Sequence, residues 1–329
     1  MSDQRGRDFV LGLDVGGTKI ALATADLGGA ILEQARMATE AQQGALHVVQ
    51  RALAEARRLV ARTAAARGGR CLGVGAVSPG VLREDRIDLV PTMPGWERLA
   101  IVDLLREGLG LERVAVANDV KAAGEAEARW GSLHGADPAL FVSIGTGIAA
   151  ALIVGGRVVT GAHGAAGEVA YSLRGVRDER GAADGVAPLE EFVSGSAIGQ
   201  RGSRLLGAEL TAGEVFSRSE TDLRARFLVD ETLAELAVHV ANWALLIDPA
   251  RIAVGGGLMN SADLILPALT HRLRFAVPFP PEIVPARFVH DAALHGAIAL
   301  ALAAVGQDGV RRPDAGSRDG PAPEAVVAP

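Results

Sequence analysis

The run Asp14-Val15-Gly16-Gly17-Thr18-Lys19 follows a short apolar stretch, Val10 to Asp14. Glycines in such a turn let backbone N–H groups approach an anionic phosphate closely, and the Thr18 hydroxyl adds a donor. Asp14 is then placed to hold Mg²⁺ through water. Taken singly, Gly-Gly-Thr is more often a plain hairpin turn with its Asp as a local cap. A second copy changes the weighing. Starting 128 positions after Gly17, Gly145-Thr146-Gly147 stands between Phe141 to Ile144 and Ile148 to Val154, the same strand–turn–strand grammar. Matched context at both places indicates an internal duplication, with each half offering one glycine hairpin to a shared cleft.

A nucleotide held between two such hairpins needs room for its adenosine. Ile252-Ala253-Val254 exits into Gly255-Gly256-Gly257, where bare glycines admit a flat base or ribose next to backbone. That run alone is equally readable as a turn without ligand. Asn118-Asp119 closes the strand Arg113 to Ala117, and the end of a strand facing a cleft is where α/β folds place reactive groups. Phosphoryl transfer needs an aligned hydroxyl and an acceptor for its proton, which makes Asp119 the candidate general base. The competing reading is that Asn118-Asp119 merely caps a helix starting near Val120. Glu168 and Glu190 offer bidentate acceptors for pairs of hydroxyls, or are solvated carboxylates at helix ends.

These groups need a frame that brings distant segments together. A chain of 329 residues suits two α/β lobes around a cleft, and 49% hydrophobic against 22% charged residues supplies their cores. Apolar periodicity predicts helices at about Ala45 to Ala66, Ile101 to Gly108, Glu190 to Leu206, Thr221 to Ile247, Leu264 to Phe275 and Ala292 to Ala304. The last is expected to pack back on the first lobe. Strands are predicted at Ile20 to Ala25, Leu72 to Val77, Arg157 to Thr160 and Arg251 to Val254, and their alternation with helices implies a largely parallel sheet. The expected lobes are 1–117 with 291–305, and 118–290. The Gly-, Pro- and Arg-rich tail 306–329 reads as disordered. A formal charge of −6 without a basic stripe argues against nucleic acid or an anionic membrane as partner. The single cysteine, Cys71, precludes an internal disulfide and a cysteine metal cluster. A polar N-terminus and the lack of a membrane-length apolar run point to the cytoplasm.

Together the segments resemble the ROK family of bacterial sugar kinases and repressors over roughly residues 9 to 304. The matching features are Asp14-x-Gly16-Gly17-Thr18-Lys19, Ser78-Pro79-Gly80, Met93-Pro94-Gly95-Trp96, Asn118-Asp119, Gly145-Thr146-Gly147-Ile148, Gly167-Glu168, Glu190 before Ser194-Gly195, and Gly255-Gly256-Gly257. The resemblance implies a duplicated actin-like ATPase fold, ribonuclease H-like in each half, with two lobes around a central cleft. It implies ATP and Mg²⁺ held by the glycine loops and by Asp14, and Asp119 as base. Gly80, Asn118, Glu168 and Glu190 would then touch the sugar, whose phosphorylated hydroxyl is expected to be primary. A homodimer is likewise implied. Two departures stand out. The family's zinc-binding His and its Cys-x-Cys-Gly-x-x-Gly-Cys segment are replaced by Tyr171 and by Gly181, Ala183 and Pro188, so no Cys₃His zinc site is expected. Thr92 stands where an Asn is common. Both changes move the expected substrate from plain glucose toward an aminosugar or a C7-cyclitol of secondary metabolism.

Three rivals are weighed against this. A repressor needs a DNA-binding winged helix before the sugar domain, and the first phosphate strand starts near Val10. A nicotinamide-dependent oxidoreductase needs a Gly-x-Gly-x-x-Gly that opens a helix, which is missing. A catalytically silent sugar sensor keeps the fold, and ATP turnover separates it from a kinase.

Overall fold

The computed structural model describes residues 6–82, 87–88, 95–288 and 291–306. Thr92, Met93 and Pro94, and the tail beyond Gly306, lie outside the described residues.

The first sheet is built from β1 (Phe9–Val15), β2 (Lys19–Asp26), β3 (Ile31–Ala38) and β4 (Cys71–Val77), and a two-residue hairpin, β5 (Val81–Leu82) with β6 (Ile87–Asp88), follows it. With β7 (Val114–Ala117) the order is β3-β2-β1-β4-β7. The second sheet uses β8 (Ala139–Ile144), β9 (Ile148–Val154), β10 (Arg157–Val158), β11 (Arg251–Gly255) and β12 (Glu282–Pro285) in the order β10-β9-β8-β11-β12. The two orders are the same when read strand by strand. In each, an antiparallel hairpin closed by a glycine turn leads the sheet, and two parallel strands flank it on the other side. The expected largely parallel sheet is therefore corrected to two mixed sheets, because each half begins with hairpins before its first crossover.

Nine helices occur among the described residues. They are α1 (Ala45–Arg67), α2 (Ile101–Leu109), α3 (Asp119–Trp130), α4 (Glu190–Val193), α5 (Gly195–Leu206), α6 (Ala212–Arg218), α7 (Leu223–Ile247), α8 (Ala262–Ala276) and α9 (Ala292–Gly306). None is long and apolar enough to cross a membrane.

Strand periodicity sorts the first lobe's core. Ile20 and Leu22 of β2 join Leu11 and Leu13 of β1 under α1, while Ala21, Ala23 and Ala25 face α9 on the opposite side. A polar pair in this region, Thr24 with Thr63, shares a buried hydroxyl–hydroxyl bond of 2.8 Å. On the α9 face, Gly12 and Gly75 are direct partners across β1 and β4 and leave a bare patch. There the α9 backbone comes so close that a Cβ on Gly75 would fall 1.9 Å from the Ala297 carbonyl oxygen. On its other side α9 meets α3 through Gly296, where a Cβ would lie 2.2 Å from the Ala122 oxygen. Gly124 of α3 in turn admits Ala151 of β9. Helices α9 and α3 thus form a close-packed seam between the two sheets, and glycine makes each contact.

Besides the short pair β5 and β6, three elements escape sequence patterning. β3 carries Glu33 and Arg36 and is half exposed as an edge strand, β12 is only four residues, and α6 is a short helix capped by the Thr211–Glu214 box. The predicted helix Glu190 to Leu206 is interrupted. Ser194 takes an extended conformation and its hydroxyl accepts the Ala197 N–H, so a new helix starts at Gly195.

Candidate active site

Both glycine turns project from the same edge of their sheets. In the first, Gly16 N–H donates to Lys19 O at 2.9 Å, and Thr39 braces the turn by donating from its hydroxyl to Gly16 O and from its N–H to Thr18 O. In the second, Gly145 N–H donates to Gly147 O at 2.9 Å. Among the described residues, the N–H groups of Gly17, Thr18, Thr146 and Gly147 have no backbone acceptor, which is the condition for an anion to take them. The second turn is one residue shorter, so the position matching Asp14 is Ser143. Only the first copy carries an acid.

A hollow of about 440 Å³ is lined by Gly80, Asn118, Asp119, Ser143, the turn Gly145-Thr146-Gly147, Glu168, Tyr171, Glu190, Gly256 and Gly257. It opens past Gly145, Thr146 and Gly257 into a second hollow of about 700 Å³ against α5 and the start of α6. The sequence-derived residues divide accordingly. Gly80, Asn118, Asp119, Glu168, Tyr171 and Glu190 share one wall with the second glycine turn. Gly255 sits inside β11 with its Cα against Phe141 and Ala286, and does not line the hollow. Gly16, Gly17, Thr18 and Lys19 lie on the first lobe outside this lining, and Lys19 Nζ is 3.9 Å from Asp291. Sequence reading missed Gly195, Ser196 and Gly199 of the second hollow. Their signal is a Ser194 N-cap followed by glycines four apart on one helix face, where a Cβ on Gly195 would lie 2.7 Å from Gly145 O.

Three carboxylates share one design. Asp119 is the first residue of α3, and its Oδ1 accepts the Val120 N–H at 2.9 Å. Glu168 Oε1 takes Asn118 Nδ2 at 3.1 Å and faces Lys121 Nζ at 3.5 Å. Glu190 Oε2 accepts the Ile148 N–H at 3.1 Å. Each carboxylate is held by one oxygen, and among the described residues the other oxygen has no protein hydrogen-bond partner. Orientation is fixed and an acceptor is left for a ligand. Asn118 does two jobs at once: Oδ1 caps α3 by accepting the Lys121 N–H at 2.8 Å, which assigns Nδ2 to Glu168.

Burial raises the Asp119 carboxyl above the ordinary range, opposed by the Val120 N–H and by Lys121. Its free edge opens to cleft water while protein encloses the rest, so it is accessible and yet poorly solvated. Asp14 is pushed up to about 6, first by burial and then by Asp119, with Lys19 opposing. Glu168 is raised by burial against the pull of Lys121. Tyr171 is raised by burial and by the charges of Glu168 and Glu190, so its phenol keeps its proton and can donate.

A family model of the ROK family matches residues 10–304. The chain belongs to the ROK family. It is 30% identical to the kanosamine kinase of Amycolatopsis mediterranei over 314 residues, covering 92% of this chain and 99% of that one. Its fold matches the ROK hexokinase of Thermus thermophilus with a TM-score of 0.78 at 27% identity, over 90% of this chain and 99% of the other. The ROK glucokinase of Streptomyces griseus, solved with glucose and AMPPNP, matches with a TM-score of 0.68 at 25% identity, over 89% and 99%. The two equivalent sheets are accordingly the halves of a duplicated actin-like ATPase fold. These relatives are kinases, and this ROK protein is a phosphotransferase.

Within the family frame, residues 172–188 are held by arginine stacking. The Arg174 guanidinium lies 3.4 Å and that of Arg201 3.8 Å from the ring centre of Phe192, on the short helix that starts at Glu190. Arg174 also reaches Glu235 at 3.1 Å. Asp178 accepts the Arg174 and Gly175 N–H groups, and Asp184 accepts that of Gly181. A cation–π pair of this kind is worth ~1–2 kcal/mol where partly desolvated.

For Mg²⁺, the donor set fits. Asp14 and Asp119 supply hard carboxylate oxygens close enough for the charge of Asp119 to raise Asp14, and that like charge is what a divalent cation would relieve. Among the described residues no three His, Cys, Asp or Glu converge on one point, so phosphate oxygens and water would complete the shell.

Lys121 is a further candidate that sequence reading overlooked. It is 5% exposed, two positions after Asp119, and its ammonium stabilises the ionised form of Glu168. Lys121→Met is expected to lower stability by about 1–2 kcal/mol in urea unfolding, because it leaves the half-buried Glu168 carboxylate without its cation. The same change raises the Glu168 pKa further, so the sugar KM should begin to climb at a higher pH on acidification than in the parent. A KM–pH profile identical to the parent's would remove Lys121 from the site.

Proposed function

We propose that this ROK protein transfers the γ-phosphoryl group of ATP to a hydroxyl, expected to be primary, of a hexose or hexose-like polyol, with Asp119 as general base. The observation that carries the reading is the trio of half-tethered carboxylates, Asp119, Glu168 and Glu190, lining one hollow together with the Gly145-Thr146-Gly147 turn. The sugar takes the free oxygens of Glu168 and Glu190, with Asn118, Gly80 and Tyr171 around it. ATP lies along both glycine turns, Asp14-x-Gly16-Gly17-Thr18-Lys19 and Gly145-Thr146-Gly147, and its adenosine extends past Gly256-Gly257 toward α5. Mg²⁺ bound near Asp14 supplies charge neutralisation for the phosphates. The acceptor hydroxyl hands its proton to the free Asp119 oxygen as it attacks, and ADP leaves.

An aminosugar is favoured over glucose by one feature. Glu190 pairs with no Lys, Arg or His among the described residues, and the charges of both Glu190 and Glu168 reach the Tyr171 phenol, which makes a negative wall suited to a substrate ammonium. The A. mediterranei kanosamine kinase is a relative with such a substrate in its name. A C7-cyclitol presents a comparable hydroxyl pattern without the charge. The lobes are 1–117 with 291–305, and 118–290, closing on the α3–α9 seam. A homodimer accords with the exposed apolar residues Phe227, Leu246 and Phe275 on α7 and α8.

The test is ADP release with Mg²⁺ and ATP over hexoses, aminosugars and cyclitols. The expected result is turnover in which an aminosugar such as kanosamine exceeds glucose in kcat/KM by at least about tenfold, the worth of one charge-assisted contact. Glucose ahead of every aminosugar would refute the specificity, and sugar binding without ADP release on any compound would identify a silent sensor.

A further inference from the structure

Helix α3 has two ends. Asp119 starts it at the active site, and Trp130 ends it about 17 Å away at 1.5 Å per residue. Around Trp130 lies another hollow, of about 660 Å³, whose lining includes Arg129, Arg287, His134, His295, Trp130 and Phe288 and no acidic residue. We propose that this hollow is a second ligand site, for a phosphate monoester carrying a flat apolar group, whose occupancy biases closure of the two lobes.

Charge comes first. Neither Arg129 nor Arg287 takes part in an ion pair among the described residues, whereas Arg36, Arg62, Arg201 and Arg251 each hold a carboxylate. In a chain of net charge −6, two guanidinium groups at one concave site with no carboxylate within ion-pair distance, although Glu125 feels the charge of Arg129, can receive an anion. The acids around the hollow are held in place by other groups, and Asp291, whose charge reaches His295, pairs with Arg36. Asp26 accepts the Gly28 and Ala30 N–H groups, Glu125 the Val158 N–H, and Glu127 the Ser132 and Phe288 N–H groups. The carbonyl end of α3, which would repel an anion, is occupied where Arg287 donates to Trp130 O at 2.7 Å.

Shape gives the second half of the ligand. Arg129 stacks 5.3 Å from the Trp130 ring centre, and Phe288 lies 4.6 Å from the His295 ring, so aromatic faces sit beside the cations. Burial lowers the His295 pKa, which makes it a neutral hydrogen-bonding partner. The volume suits a ligand the size of a phosphorylated ring.

Position gives the consequence. Gly28, Gly29 and Ala30 come from the β2–β3 turn of the first sheet, while Arg129, His134, Arg287 and Phe288 surround the second sheet. A ligand there touches both, and it can shift their arrangement by its difference in affinity for open and closed forms.

Phenyl phosphate is the probe, titrated calorimetrically into the full chain saturated with MgADP so that the nucleotide site is filled. Saturable binding is expected, weakened at least about tenfold by Arg129→Gln and unchanged by Asp119→Asn. Arg129 makes no hydrogen bond among the described residues, so Arg129→Gln should fold normally, and Arg287→Lys serves as the charge-retaining control. No saturable binding, or binding equal in Arg129→Gln and parent, overturns the site; phenol binding as tightly as phenyl phosphate overturns the phosphate assignment. The coupling rests on the kinase reading. It predicts that the probe shifts the sugar KM at least about fivefold in the parent and not in Arg129→Gln. Intact binding with no KM shift refutes the coupling alone, and absence of turnover on any sugar strikes the kinase reading while the calorimetry still stands.

Discussion

Asp119→Asn should lower the rate of ADP release about 10²- to 10⁴-fold at saturating substrate, the usual contribution of a general base. The substituted amide keeps its size and can still accept the Val120 N–H, so α3 starts as before and the Asn118 cap is untouched. Sugar affinity measured by calorimetry should change little, because Glu168 and Glu190 are tethered by Asn118 and Ile148 rather than by Asp119. A rate within threefold of the parent would remove Asp119 from the chemistry. The pH profile gives a second reading of the same group. Since burial raises its pKa, Asp119 stays protonated to a higher pH than an ordinary carboxyl, and kcat/KM should rise with pH through that raised value. Asp14, pushed up to about 6 without a cation beside it, must also shed its proton before it can serve one, so the Mg²⁺ concentration needed for half-maximal activity should rise as pH falls below about 6. The stability sign is opposite. A carboxyl raised from 3.8 to about 6 favours the fold below the lower value, and that contribution is lost as pH rises through about 6. The site therefore works in the range where its own acid destabilises the fold.

Gly75→Ala is expected to produce the largest loss of stability, about 3 kcal/mol or more, read as a drop in the urea midpoint at constant slope. A Cβ there would lie 1.9 Å from Ala297 O and 2.6 Å from Ala301 N, which are helix backbone atoms with no rotamer to change. Relief requires α9 to lift from the sheet, and α9 also holds α3 through Gly296. The displacement should therefore reach Asp119, and residual activity should fall with stability. Gly12→Ala, which meets the Ile298 side chain at 2.8 Å, has a softer neighbour and should cost less. Gly17→Ala is the stability control: nothing lies within 4 Å of the added methyl, and its unfolding midpoint should match the parent's within about 0.5 kcal/mol. Equal midpoints for Gly75→Ala and Gly17→Ala would refute the close-packed seam.

The sequence by itself determined the duplication, the two glycine turns and the Asn118-Asp119 strand end, because each is written in local chemistry: a period-2 strand, a turn that demands glycine, a capping side chain before a helix. It also determined that Glu168 and Glu190 were acceptors worth placing. Only the tertiary structure decided what those residues do together. The choice between cap and site at Asn118 dissolved once its two amide atoms were found serving Lys121 and Glu168 at once. Lys121 reads as a solvated helix lysine until residue 168, 47 positions away, is folded against it. The many glycines divide in the same way. Gly145 and Gly147 belong to a turn that lines the hollow, while Gly12, Gly75, Gly124 and Gly296 let helices and sheets touch through backbone. Local sequence cannot distinguish the two uses, since the partner that requires the missing side chain is supplied by a distant segment.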